Sequence, residues 1–183
     1  MGHYTLCDLT ADITQNSAEA GAALVELDIR ETAGEFRFTV RDNGRGMTAG
    51  ELERAKDPFV TDGIKHPRRR VGLGIPFLIQ MAEQSGGGSA IESRRGAGTV
   101  VSAWFDLRGI DTPPVGDVPS LLRSVLLFSG PAEIVIRRTR EAGNLDYEVR
   151  KTELQGALGE LESAASLALL GKYLRAMEED GNE

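Results

Sequence analysis

The sequence predicts an α/β chain with one principal domain and a smaller α+β extension, and three observations carry that reading. Two pairs of segments alternate apolar and polar residues around tight turns, the period-two signature of half-buried strands. Several others repeat apolar residues at three- and four-residue spacing, as helices do. A stretch rich in Gly and Pro, GIDTPPVGDVP at 109–119, separates the two groups as a linker. The 183 residues suffice for one buried core with an appended subdomain.

The elements follow in order. Thr5 caps a first helix, with Asp8 three residues on as its capping-box partner, and Leu6, Leu9, Ile13 and Ala20 suit the buried side. ALVELDIRE places Val25, Leu27 and Ile29 on one face. TAGE turns the chain, and FRFTVRD alternates again through Phe36, Phe38 and Val40, giving a hairpin. DNGRGM breaks the strand. TAGELERAKDPF reads as a short helix capped by Thr48 and ended before Pro58. Residues 59–73 are polar, basic and unpatterned, hence a loop. GIPFLIQMAEQSGGG is a helix with Ile75, Leu78, Ile79 and Ala82 in phase, and Pro76 is tolerated in its first turn. SAIESRRGAGTVVSAWFDL is two strands around a glycine turn. After the linker, residues 120–183 predict a helix over Leu121–Phe128, a hairpin from AEIVIRRT and LDYEVRK, and one or two helices with Leu167, Leu170, Leu174 and Met177 as an apolar stripe.

Composition excludes several classes. A net charge of −7 opposes nonspecific binding to nucleic acid or to anionic membranes. No apolar run reaches the length of a membrane span, and no secretory signal is visible, so a cytoplasmic protein is expected. Cys7 is the single cysteine, which leaves no internal disulfide and no zinc cluster; a small buried side chain is its expected role.

Four stretches carry candidate chemistry, and each also has an ordinary structural reading. Asp12 and Asn16, in DITQNSAEAGA, lie one helical turn apart, about 6 Å along the axis. The amide oxygen suits Mg²⁺ and the carboxylate suits a proton from water or a hydroxyl; a solvated polar stripe would look the same. In DNGRGM, Asp42 can only accept hydrogen bonds and so suits an exocyclic amine, while Gly44 and Gly46 let a flat ring approach the backbone. A turn after a strand is the alternative. In RRRVGLGIPF, Gly72 and Gly74 lead into a helix whose free N–H groups form an anion site, with Lys65, Arg68, Arg69 and Arg70 adding positive charge, or the segment is a basic surface loop. Thr99 opens a strand in GAGTVVSAWF, where its hydroxyl could join a water network at Asp42 or simply be a β-branched strand residue.

Taken in order and spacing, these stretches resemble the ATP-binding domain shared by histidine kinases, type II topoisomerases, Hsp90 chaperones and MutL mismatch-repair proteins, the GHKL or histidine-kinase-like ATPase superfamily. The resemblance covers about residues 5–107: DITQNSAEA is similar to its N box, DNGRGM to its first glycine box, DPFVTD to the stretch before its lid, VGLGIPF to its second glycine box, and GGGSAIESRRGAGTVVSAWFDL to its final strand pair. More narrowly, the whole chain, including IDTPPVGD, resembles small bacterial ATP-binding proteins often encoded near iron hydrogenases.

The resemblance implies a Bergerat fold, an α/β two-layer sandwich with a mixed, mostly antiparallel sheet covered by helices. Its ATP-binding domain would span 1–108, the linker 109–119 and the α+β extension 120–183. It implies ATP and Mg²⁺ as cofactors. Asn16 would ligate Mg²⁺, Asp42 would meet the adenine amine, and Gly44, Gly46 and Met47 would line the base pocket. Gly72, Leu73 and Gly74 would face the phosphates, Thr99 would support the adenine water network, and Thr61 and Arg70 would complete the nucleotide set within or beside a lid at 59–73.

Three departures shape the functional expectation. The superfamily's ATPases and serine kinases typically carry glutamate as catalytic base where this chain has Asp12, one methylene shorter; histidine kinases usually carry asparagine. Arg70 and Val71 stand where the second glycine box usually begins with glycine. The sequence holds no phosphoacceptor-histidine module, and His66 falls inside the lid as a solvated residue. The expectation is Mg-ATP-dependent phosphotransfer to an unidentified partner protein, with a hydroxyl acceptor favoured. A slow ATPase switch and a non-catalytic nucleotide-sensing module are the alternatives. No nucleic-acid or membrane partner is expected, and a homodimer stays open.

Overall fold

The apolar phases of the strands all fall on one side of a single sheet, and that fact builds the architecture. The computed structural model describes residues 4–59 and 74–180. In chain order the elements are α1 (Leu6–Glu19), β1 (Leu24–Glu31), β2 (Glu35–Asp42), α2 (Ala49–Lys56), α3 (Gly74–Gln84), β3 (Gly88–Arg94), β4 (Gly98–Asp106), α4 (Val118–Leu126), β5 (Glu133–Arg140), β6 (Leu145–Arg150), α5 (Lys151–Leu158) and α6 (Ala164–Glu179). The strands form one six-stranded sheet in the order β3-β4-β2-β1-β5-β6. Only β1 and β5 run parallel; every other neighbouring pair is antiparallel. Helices cover one face, so the described residues form an α/β sandwich of the expected class.

Register turns alternation into a core. Leu27 pairs with Val40, which pairs with Val101, and Leu27 also pairs with Ile136, which pairs with Val149. All five are buried, and with Phe36, Phe38 and Phe105 they form the sheet's inner surface. Leu6, Leu9 and Ile13 of α1, Leu78 and Ala82 of α3, and Leu121, Leu122, Val125 and Leu126 of α4 close over it. Two buried threonines on α1 return their hydroxyls to the preceding turn: Thr10 donates to the Leu6 carbonyl and Thr14 to that of Thr10, at 2.7 Å each. Cys7 is buried in the same core, and burial pushes its thiol up to about 12.

The expected capping box of Thr5 with Asp8 forms, and at the expected cap Thr48 the structure adds a second box with Glu51. Helix α4 starts at Val118 rather than at the expected Leu121, and it ends at Leu126. The reason is Asp117, whose carboxylate accepts from the Ser120 N–H and hydroxyl, with Pro119 accommodated in the first turn. The segment expected to link two units is itself packed. The Pro114 and Val115 carbonyls accept from the Leu6 and Cys7 amides at 2.9 Å, satisfying donors that the start of α1 cannot bond internally.

The hairpin of the C-terminal extension does not build a sheet of its own. Strand β5 lies beside β1 along its whole length, from Leu24 opposite Glu133 to Glu31 opposite Arg140. A buried ion cluster fastens α6 there. Arg138, 0% exposed, donates to Glu31 on β1 and to Glu178 on α6. Glu178 also accepts from Arg140 at 3.0 Å and from the Tyr147 hydroxyl at 2.8 Å. Removing one member leaves buried charge without its partner, which costs about 3–5 kcal/mol. Glu178→Ala is therefore expected to lower unfolding free energy by about that amount in urea titrations. A loss under about 1 kcal/mol would show that the cluster does not hold α6.

Candidate functional site

Asp42 continues the inward phase of β2: Phe36, Phe38 and Val40 point to the core, and the next inward position is a carboxylate, 6% exposed. A buried carboxylate needs donors. One oxygen accepts from the Gly44 N–H at 2.9 Å. The other takes no hydrogen bond among the described residues, and Asp42 lines a cavity of about 200 Å³.

Five segments besides Asp42 make that cavity. Helix α1 and its C-cap supply Ile13, Asn16, Ser17, Glu19 and Ala20, of which Ile13, Asn16, Ser17 and Ala20 recur at the three- and four-residue spacing of one helix face. The loop after β2 supplies Arg45, Gly46 and Met47; α2 supplies Ala55 and α3 Ile75; β4 supplies Thr99 and Val101. Volumes of roughly 300–1,000 Å³ are common for whole-ligand pockets. This one is smaller, sized for a ring system, with Asn16 at its wall beside the first residue of α3.

The loop from 43 to 48 is held rigidly against both flanks. The Asn43 side-chain oxygen accepts from the Ala23 and Leu24 amides at 2.9 and 3.0 Å. The Arg45 N–H donates to the Ala20 carbonyl at 3.0 Å, and the Arg45 carbonyl accepts from Gly96 at 2.7 Å. The Met47 N–H donates to the Ser93 hydroxyl at 2.8 Å, and that hydroxyl shares a 2.7 Å hydrogen bond with Thr99. The glycines are required here. A Cβ on Gly44 would stand 2.6 Å from the Ala20 carbonyl oxygen. Gly46 adopts φ +64°, and a Cβ there would stand 1.9 Å from the Arg94 carbonyl oxygen.

The structure thus brings together Asn16, Asp42, Gly46, Met47 and Thr99 as cavity lining, with Gly44 packed between Asp42 and Ala20. Gly74 opens α3 against Asn16: a Cβ on it would lie 3.2 Å from the Asn16 amide nitrogen. Asp12 is placed differently. It is exposed, one turn before Asn16, outside the cavity lining, and its carboxylate accepts from the Tyr4 hydroxyl at 2.7 Å. Thr61, Arg70, Gly72, Leu73 and all of the expected lid except Phe59 lie outside the described residues.

Sequence reasoning missed Ser93, Arg45, Ala20 and the α1 residues flanking Asn16. The signals were present. A hairpin turning at 95–97 pairs Ser93 with Thr99, and Ile13, Ser17 and Ala20 share the helix face of Asn16. A larger depression of about 510 Å³ lies at the same strand ends, bordered by Glu26, Arg41, Glu92 and Arg94 and sharing Asp42 and Thr99 with the first. It receives nothing from α1 or α3, and we place the functional site in the smaller cavity for that reason.

A buried acceptor at a strand end, a glycine-opened loop and a helix start beside an amide thus meet within one α/β sandwich. The profile of the histidine kinase-, DNA gyrase B- and HSP90-like ATPases matches residues 4–109, more than half of the chain. The protein belongs to that family, and residues 4–109 form an ATP-binding, histidine-kinase-like domain. The histidine protein kinase DivJ of Caulobacter vibrioides is 40% identical over 70 residues, covering 38% of this chain and 12% of the kinase. A sensor-like histidine kinase of Rhizobium meliloti is 35% identical over 80 residues, 43% of this chain and 15% of the relative. The cell-division control histidine kinase PdhS of Brucella anthropi is 32% identical over 108 residues, 54% of this chain and 10% of the relative. The chain therefore matches 10–15% of the length of these relatives. Among the described residues no helix is long and apolar enough to cross a membrane.

Gly46→Ala is expected to lower stability by more than about 1 kcal/mol, since it adds both a backbone clash and a left-handed strain. Thermal denaturation checks this; an unchanged melting temperature would mean that the loop can move away from Arg94.

Proposed function

We propose that the protein uses Mg-ATP as a phosphoryl donor to a partner protein in a signalling role. The observation that carries the nucleotide part is the Asp42 oxygen that takes no hydrogen bond among the described residues, at the wall of a ring-sized cavity. It is an acceptor open to the cavity and able to take a ligand donor, and the 6-amino group of adenine is such a donor. Guanine would present an acceptor there instead.

In this reading Gly44, Gly46 and Met47 shape the slot for the base, and Thr99 with Ser93 fixes polar groups beside Asp42. Thr61, Arg70, Gly72 and Leu73 join Gly74 in the phosphate set on sequence grounds. Among the described residues no group of three or more His, Cys, Asp or Glu could hold a metal. The donor set fits Mg²⁺ taken up with the nucleotide, through Asn16 and phosphate oxygens. When bound, the ion would neutralise phosphate charge during transfer. Asp12, one turn from Asn16, acts as the general base that takes a proton from the acceptor hydroxyl. The C-terminal extension, which presents Leu169 and Tyr173 to solvent on α6, docks the partner.

Calorimetry with ATP, ADP and GTP, with and without Mg²⁺, tests the nucleotide part. ATP is expected to bind at least tenfold more tightly than GTP. Asp42→Asn is expected to weaken ATP by roughly 1–3 kcal/mol, because the introduced amide donor faces the adenine amine. Equal affinities for the two bases, or an unaffected Asp42→Asn variant, would remove Asp42 from base recognition.

The catalytic part is tested by phosphoryl transfer to co-purifying proteins. Asp12→Asn is expected to lower transfer by roughly 10²-fold or more, the usual contribution of a positioned base, with ATP affinity retained. Transfer as fast as in the unmutated protein would exclude Asp12 as base. Phosphate release without any protein label would favour the ATPase switch.

A further inference from the structure

Tyr4 stands just before the cap of α1, and nothing in the proposed reaction so far uses it. Its hydroxyl donates a 2.7 Å hydrogen bond to the Asp12 carboxylate. Its ring packs edge-on against Phe77 of α3, with centroids 5.3 Å apart and planes at 75°. The side chain therefore bridges the two helices that carry Asn16 and Gly74, α1 through Asp12 and α3 through Phe77, one turn past Gly74. The backbone that carries it is anchored as well. Thr5 caps α1, the next two amides donate to Pro114 and Val115, and Gly116, at φ +94°, packs so closely on Thr5 that a Cβ would stand 2.6 Å from its hydroxyl oxygen. Tyr4 is 38% exposed, so its hydroxyl is held yet reachable.

A structural brace would need the ring on Phe77 but not a hydroxyl aimed at the base. The hydroxyl occupies the place of an acceptor: it touches the group that would deprotonate it, on the helix face that also carries Asn16. Burial, and then the hydrogen bond to Asp12, push the phenol well above its usual range, so it stays protonated until a base takes the proton. We propose that Tyr4 is a phosphoryl acceptor within the chain, modified by the ATP bound at its own site before any partner is engaged. The inference rests on the nucleotide reading above. In the step, Tyr4 Oη forms a bond to the γ-phosphorus, and the bond from that phosphorus to the β,γ-bridging oxygen breaks. ADP leaves with that oxygen, and Asp12 takes the phenolic proton and releases it to water. The product carries a dianionic group where a donor had been. It repels Asp12, and so frees the base for a partner's hydroxyl.

The test uses the full chain with γ-labelled Mg-ATP and no other protein, followed by site mapping by tandem mass spectrometry. ATP binding is measured by calorimetry on the same samples. The expected result is label on Tyr4, approaching one phosphoryl group per chain, at a rate per chain that does not change on tenfold dilution. Tyr4→Phe, which retains the ring on Phe77, and Asp12→Asn should each lower labelling at least tenfold. ATP binding without phosphate on Tyr4 of the unmutated chain would overturn the proposal and leave the nucleotide reading standing. Label that maps elsewhere, or that falls with dilution as a reaction between chains, would also overturn it. Absence of ATP binding would overturn both.

Discussion

A carboxylate occupies an apolar slot in the strand pattern of β2, and the site is organised around that misfit. Burying an ionised carboxylate without donors costs several kcal/mol. The chain supplies one donor, the Gly44 amide, by turning sharply right after the strand. That turn demands residues without side chains, because the Ala20 and Arg94 carbonyls lie where Cβ atoms would go. The glycines are thus consequences of Asp42 being inward, and the remaining oxygen is the group to which the proposed function assigns base preference. Asn43, accepting from the Ala23 and Leu24 amides at the start of β1, and Ser93, accepting from the Met47 amide, keep this geometry in place before any ligand arrives.

A second buried charge does a different task. Arg138 sits in the core phase of β5, opposite Ile29 in the β1 register, and is met by Glu31 and Glu178. A buried ion pair adds little net stability over a hydrophobic replacement, but it strongly disfavours alternatives that leave it unpaired. Slipping β5 by one residue would turn Arg138 to the solvent face and strip both glutamates. The cluster therefore sets the register in which the extension joins the sheet, and it pins α6 through Glu178.

Local signals were legible in the sequence and long-range pairings were not. Thr5 with Asp8, and Thr48 alone, announced two helix starts through short-range capping chemistry, and alternation in 24–31 and 35–42 announced β1 and β2. Asp42 was legible as a candidate because an acceptor-only side chain ends the strand just before two glycines; that it continues the buried phase of Phe36, Phe38 and Val40 emerged from the fold. The parallel pairing of β5 with β1 was not legible, since its partners lie about 109 positions apart, as in Leu24 with Glu133, and no local pattern encodes which edge a hairpin will choose. Tyr4 escaped notice for a similar reason. One tyrosine before a cap carries no periodicity, and only the fold shows that it meets Asp12 and Phe77.

The acceptors for the first turn of α1 come from residues 114 and 115, beyond the stretch that matches the family. The same is true of the strand that covers β1 on its far side. Kinship and mechanical self-sufficiency thus have different borders in this chain. Trimming it to the homologous part would bare a row of main-chain donors and acceptors along β1, an invitation to pair with other chains, and would loosen the helix that carries both candidate phosphate-side residues.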